Sequence, residues 1–424
     1  MSKTLIADKA TLDKIYGIVA SEPVYGFIEH NATLAPGSRI EYVGLNKGYN
    51  PIGVTMGGGY SLGDWADFPW LKANKPYMVR SDGTPDYRLD ESDYTKREDG
   101  TASDVANTEY DGGAFAWCQK IYKREYMAGD DRYVLFRFEK ADGFEPVGFV
   151  DGAGNELDGV WIPMFYGSIV NGTVGGTADQ PIMRSLSGLQ PDCDKSTAAQ
   201  KTAIDNFGAR ARFLGGAVMN TLIDLEIMLA KTTHLQNFYG RGNSNGYDAS
   251  HTQTKGVKQN AVVGGGQFYG TSDGKSLNKI FHSIVLGSYQ QYMRDPYLLV
   301  VNGRFKVSKN YEYDLTGGTY TDTGIDVPQP EAASWVYPHK SQTVQGFGHL
   351  PVYPYNGSSS TGGCDGLYRS ASQSTTTAAA RRFGDCYTGS ANGGRCLSVS
   401  STASSPFWDI GSALLLLPPV GVAV

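Results

Sequence analysis

The sequence predicts an α+β fold, and three observations predict it. Short runs of alternating or wholly apolar residues, rich in Tyr, Val and Ile, recur along most of the chain between Gly, Asp and Asn turns. Two helical patterns stand next to each other in the middle of the chain. No sequence period of solenoid type repeats. Two helices set among many short strands make an α+β arrangement. The expected division is a β-rich docking or assembly region over 1–155 and a second domain over 156–424, in which two helices pack on short antiparallel strands with long ordered loops.

In chain order, MSKTLIADKATLDKIYG (1–17) reads as a short amphipathic segment and carries no charged-then-apolar leader. The runs 38–44 (SRIEYVG) and 131–140 (DRYVLFRFEK) read as strands. Between them, 86–100 is polar and acidic, which predicts a solvated loop. The stretch 159–170 (GVWIPMFYGSIV) is dense in aromatic and β-branched residues, and Pro163 places it at a sheet edge or a bend. The first helix is predicted over 196–211, with Asp194 or Ser196 as N-cap, and the second over 218–231, with Leu222, Leu225 and Leu229 on one stripe. Gly215-Gly216 separates them and suggests a helical pair on a sheet. Residues 356–404 are rich in Ser, Thr and Gly, yet Tyr368, Phe383 and Tyr387 interleave with them, which predicts long ordered loops rather than disorder. The terminal SALLLLPPVGVAV is too short and too broken by proline to span a bilayer, so no membrane insertion is expected and a buried strand is.

Composition excludes some functions. The formal net charge is −6 and charged residues make up 19%, so no basic field points to a nucleic-acid backbone. Gly at 54 and Tyr at 27 are high, and Tyr with Ser, Gly and Asn is the palette of evolved binding surfaces. Five cysteines, an odd number with no CxxC spacing, signal neither a zinc site nor a disulfide framework. They read as reduced packing thiols of a protein made in a reducing cytoplasm.

Motif tests fail one after another. SDGKS (272–276) lacks the glycine that a phosphate loop needs five places before Gly274, where Tyr269 stands. The runs Gly57-Gly58-Gly59 and Gly264-Gly265-Gly266 lack the strand and helix of a dinucleotide site and read as turns. Six histidines stand singly, and His282 in an apolar run reads as a hydrogen-bonded core imidazole. No GxSxG occurs. Carboxylates such as Asp64, Asp67, Asp90, Glu91, Asp93, Asp111, Asp151 and Asp314 could include a glycosidase pair, but spacing selects none. Calcium at 90–99 would lack the glycine and bidentate Glu of an EF loop. The expectation is no cofactor, no metal and no catalysis.

A wider pattern carries a resemblance. RIEYVG (39–44), GDWADFPW (63–70), KPYMVRSDGTPDYRLDESDY (75–94), NTEYDGGAFAW (107–117), WIPMFYGS (161–168), MRSLSGLQP (183–191), NFYGRGNS (237–244), KIFHSIVLGS (279–288) and VVNGRFKVS (300–308) run in this order. CDGLYRS (364–370), RRFGDCYTGSANGGRCLSVS (381–400) and FWDIGSALLLL (407–417) close it. The chain resembles a family of phage structural proteins with a C-type-lectin-like domain, a fold shared with formylglycine-generating enzymes and with phage tropism determinants diversified by mutagenic retroelements. Gln190-Pro191-Asp192 matches the calcium-and-sugar tripeptide of true C-type lectins, and Trp408-Asp409 is a distant counterpart of their second signature.

By position, the resemblance makes Tyr387, Thr388, Ser390, Asn392, Ser398 and Ser400 display residues, with Arg381, Tyr368 and Trp408 near them. Relatives often carry Gly-Gly-x-Trp where this chain has Gly384-Asp385-Cys386-Tyr387. For Trp408 itself a core position is expected. Cys386 and Cys396 stand where the enzymes of this fold keep a reactive pair, without the cationic or metal-binding context that activates a thiolate. The function implied is a receptor-binding component of the virion (tail fibre, tail tip or head fibre), made in the host bacterium. Its partners would be its own copies in a homotrimer, other virion proteins and a bacterial surface glycan or protein receptor. A capsid or tail decoration protein with a purely structural role is the alternative. A glycan hydrolase and a formylglycine-generating-type oxidase stand further back.

Overall fold

A computed structural model describes residues 23–54, 60–170, 180–240, 242, 262, 279–287, 289–327, 330, 332–370, 377–421 and 424. The N-terminal amphipathic segment, all three residues of each glycine run, SDGKS and His251 lie outside these residues.

Strand outweighs helix, 36% to 13%, and the strands form several sheets, so the expected α+β arrangement of helices on strands is corrected to a β-rich fold. A four-stranded antiparallel sheet orders Ile40–Gly44, Tyr25–His30, Asp131–Arg137 and Tyr122–Ala128. A six-stranded sheet orders Ala211–Phe213, Leu414–Leu416, Gly159–Pro163, Gly112–Gln119, Pro76–Arg80 and Pro85–Arg88. An eight-stranded sheet is built around Tyr292–Val301, flanked by Arg304–Val307 and Thr377–Arg382. It takes in Leu397–Ser398 and Leu367–Arg369, so regular strands stand where long loops were expected.

The sheets cross the 155/156 division. Gly159–Pro163 pairs with Gly112–Gln119 on one side and with the terminal strand Leu414–Leu416 on the other. Apolar side chains from Phe27 to Leu417 fill one continuous core. Pro163 ends its strand opposite Phe115, inside the sheet rather than on its edge; as the last residue it interrupts no further ladder bonds. The terminal apolar run is a buried strand, as its composition predicts. Trp65 of the GDWADFPW motif is fully buried, with Tyr42, Tyr49 and Phe68 edge-on at 5.2–5.7 Å. Such pairs add about 0.5–1.5 kcal/mol each beyond burial.

Both predicted helices exist, but they do not make a layer. Thr197–Phe207 starts on Ser196, whose hydroxyl accepts from Ala199 N at 3.2 Å, and packs on Ile182–Arg184 and Ala211–Phe213. Gly216–Ala230 packs instead on Tyr292–Val301, Gly348–Val352 and Ile40–Gly44. All fifteen of its residues are buried, so it is a core helix without a solvent face. The sequence shows its leucine stripe but not its second face, where Asn220 and Asp224, one turn apart, are equally buried. Arg382 donates to Asn220, and Lys123 and Arg132 donate to Asp224, so distant cations satisfy that polar face between the sheets.

The polar stretch 86–100 is only partly a loop. Leu89 and Tyr94 are fully buried, and the acids between them are held in turns. Asp90 accepts from Ser92 N, Asp93 from Thr95 N and Asp99 from Thr101 N, at 2.7–3.1 Å. Turn chemistry, not calcium, accounts for the acidic cluster.

Candidate functional site

The loop expected to display contacts leaves the strand Thr377–Arg382 and returns at Leu397–Ser398. Gly384 turns it with φ +90, and a Cβ there would stand 1.7 Å from Asn392 Oδ1. Only glycine fits. Asn392 is buried; its Nδ2 donates to Asp385 O at 2.6 Å and its Oδ1 accepts from Asp385 N at 3.2 Å. Asp385 Oδ1 in turn accepts from Tyr387 N at 3.1 Å, Thr388 N at 2.7 Å and the Thr388 hydroxyl. One Asp–Asn clamp therefore fixes both ends of the tip. Above it, Tyr387 is 69% exposed and Ser390 is exposed.

The other candidates support that tip. Arg381 is buried and donates to Ser398 Oγ at 2.5 Å and Ser400 Oγ at 2.9 Å. Its guanidinium lies over the Tyr292 ring, and Tyr292 OH meets Thr388 Oγ1 at 3.0 Å. Ser398 is buried, and Ser400 and Thr388 are half-buried. Tyr368 lies across from Trp335 on the neighbouring strand pair, rings 5.1 Å apart. Trp408 is half-buried rather than enclosed in the core. Of the nine residues, the structure presents Tyr387 and Ser390 outward and uses Arg381, Asn392 and Ser398 as internal struts.

Buried acids crowd beneath the loop. A hydrogen bond joins the carboxyls of Asp385 and Asp409, and burial raises both, Asp385 to about 6. The QPD turn also comes here, since Asp194 N donates to Phe407 O at 3.1 Å. Asp192 is buried on Gln200 Nε2 at 2.8 Å, and burial lifts its carboxyl to about 7. Among the described residues the one group with three ligand atoms within 4.8 Å is Glu125, Asp224 and His349. Its centre is already occupied by cationic side chains. Lys123 Nζ lies 2.6 Å from Glu125 and 2.5 Å from Asp224, and Arg132 lies 2.8 and 2.7 Å from the same pair.

All but Asp111 of the carboxylates weighed as a glycosidase pair are engaged locally. Asp64 binds Asn50 N, Asp67 pairs with Lys72, Glu91 with Lys75 and Arg88, and Asp151 and Asp314 close turns. Burial raises the Cys396 thiol well above its ordinary value and Cys364 to about 12, the reverse of an activated nucleophile. All five cysteines are free. His282 meets Tyr94 OH at 2.8 Å, the hydrogen-bonded imidazole expected. A separate cleft of about 430 Å³ lies between 145–150 and 307–312, with Glu145, Lys309 and Glu312 in its walls.

Sequence reasoning missed Asp365, Glu226 and His349. Asp365 sits inside CDGLYRS, yet no spacing links it to Glu226, to His349 or to the arginines around them. No protein-family model and no curated protein matches the chain.

Proposed function

We propose that the chain is a non-catalytic surface protein of a bacteriophage particle that binds a bacterial surface glycan or protein through the tip 385–392. The observation that carries this reading is the Asp385–Asn392 clamp, which holds the exposed Tyr387 and Ser390 on a loop tied from its inner side by backbone and side-chain hydrogen bonds. An immobilised Tyr gives a large amphipathic contact at little entropic cost, and neighbouring hydroxyls add hydrogen bonds. The likeness of the quoted motifs to phage structural proteins supports the setting. The local engagement of the exposed acids supports the absence of chemistry at the surface.

The test is binding of the purified, labelled chain to a panel of whole bacterial cells and to an immobilised glycan array. Saturable binding is expected on at least one. Tyr387→Ala and Ser390→Arg should each weaken it about tenfold or more, while leaving stability within about 0.5 kcal/mol. Asn392→Ala should instead destabilise by about 1–3 kcal/mol, because two backbone groups of Asp385 lose their partner. Undiminished binding by both surface variants, or none by the parent, would overturn the reading. Particles that adsorb normally but fall apart without the chain would favour structural decoration.

A further inference from the structure

Five cations are buried around the core helix: Arg39, Lys123, Arg132, Arg382 and Arg395. Four carboxylates pair with them: Glu29, Glu125, Asp224 and Asp295. Glu29 alone takes Arg39 at 2.9 Å, Arg132 at 2.9 Å and both Nη atoms of Arg395 at 2.7 Å. Among the described residues the network is one negative charge short. The nearest further acid is Asp365, buried and raised to about 8 by that burial, so at neutral pH it carries a proton. Glu226 beside it is raised well above its ordinary value, again by burial.

A cavity of about 30 Å³ opens within this cluster, between Asn220, His349, Asp365, Arg382 and Arg395. Each of the last four holds a buried atom with no hydrogen-bonding partner among the described residues: His349 Nδ1, Asp365 Oδ1, Arg382 Nη2 and Arg395 Nε. The remaining polar atoms of the two arginines are spent. Arg382 donates from Nε to Asp295 and from Nη1 to Asn220, and Arg395 donates from both Nη atoms to Glu29. Asp365 Oδ2 accepts from Arg395 N at 2.6 Å, which leaves Oδ1 as the oxygen that bears the proton. His349 Nδ1 is 3.3 Å from Asp224 Oδ1, too poorly aligned to bond, and burial keeps the ring neutral, near 4. Three unspent groups are thus donors on residues that line one cavity, where a negative charge is missing.

We propose that this cavity binds one monatomic anion of chloride's size, held by Arg382 Nη2, Arg395 Nε and the carboxyl of Asp365. The volume exceeds the 10–15 Å³ or so that one water needs and admits a halide. An anion here neutralises the network and satisfies donors whose burial without partners is unfavourable. The site is independent of the surface-binding reading, because it touches neither Tyr387 nor Ser390.

Two measurements on the whole chain test it. Thermal unfolding is followed at constant ionic strength and pH 6 while sodium gluconate is replaced by sodium chloride or bromide. Both should raise Tm saturably, by about 3 °C at a hundred times Kd. Crystals grown in bromide should show an anomalous peak between Arg382, Arg395 and Asp365. Arg382→Gln should abolish the halide dependence; should that variant fail to fold, the bromide map of the parent protein decides. Equal Tm in all salts, or a water without anomalous signal in the cavity, would overturn the proposal.

Discussion

At the residue scale, Glu29 governs more of the structure than any residue the sequence singles out. Its carboxylate is fully buried, and burial alone would raise it. Arg395, Arg39 and Arg132 outweigh that and hold it well below the usual carboxylate range. A buried ion group is weak evidence for net stability, but removing one member leaves the others desolvated and unpaired. Glu29→Gln should therefore destabilise the protein by about 3–5 kcal/mol, read from denaturant unfolding. A loss below about 1 kcal/mol would mean that water reaches the arginines. Nothing in the sequence marks Glu29, because its partners lie 10, 103 and 366 residues away. The display residues show the same limit. Position along the chain led to all nine, but Asn392 and Tyr387 differ in role only through which side of the Asp385 clamp they occupy.

At the scale of elements, what was legible is what local chemistry decides. Ser196 caps a helix, the leucine spacing of 218–231 makes another, and the apolar runs are strands. What was not legible is how the core helix meets its neighbours, since that depends on glycines in distant turns. A Cβ at Gly148 (φ +88) would fall 2.4 Å from the backbone of Val218, and one at Gly348 (φ +120) would fall 2.4 Å from Asn220 Cβ. Both turns therefore touch the helix surface directly, and both carboxylate oxygens of Asp295 accept from the helix's first N–H, that of Gly216, at 3.0 Å. Gly148→Ala combines left-handed strain with overpacking and should destabilise by about 2–5 kcal/mol. Gly154→Ala, at φ +85 with nothing within 4 Å, isolates the backbone component and should cost about 1–2 kcal/mol. Equal losses at the two sites would show that the turn yields and the helix contact does not matter.

At the scale of the molecule, a chain of low charge has placed many of its acids inside, and their protonation couples the whole fold to pH. The buried acids form two classes. Glu29 and Asp224 lie beside cations; burial opposes their ionisation, but the guanidinium and ammonium groups prevail and hold both low. They contribute stability above the unfolded value of about 4, and it is lost as pH falls below that through their folded values. At Asp365 and Asp192 burial outweighs the nearby cations and raises the carboxyls to about 8 and about 7, and burial also raises Glu226 well above its ordinary value. A raised acid contributes stability fully below about 4 and loses it as pH climbs through its folded value, because the unfolded chain has already released the proton. The buried imidazoles of His349 and His282, depressed by burial to about 4 and about 3, act the opposite way, but only below about 6.5. Between pH 6.5 and 8 the raised acids act without that opposition. Tm should therefore decline from pH 6.5 to 8, and decline again below about 4. Asp365→Asn should flatten the alkaline decline while leaving the acid one, because the amide keeps a donor towards the cavity and has no proton to release. A Tm that is constant or rising from pH 6.5 to 8 in the parent protein would show that these acids are ionised in the fold, with solvent or mobile cations reaching them.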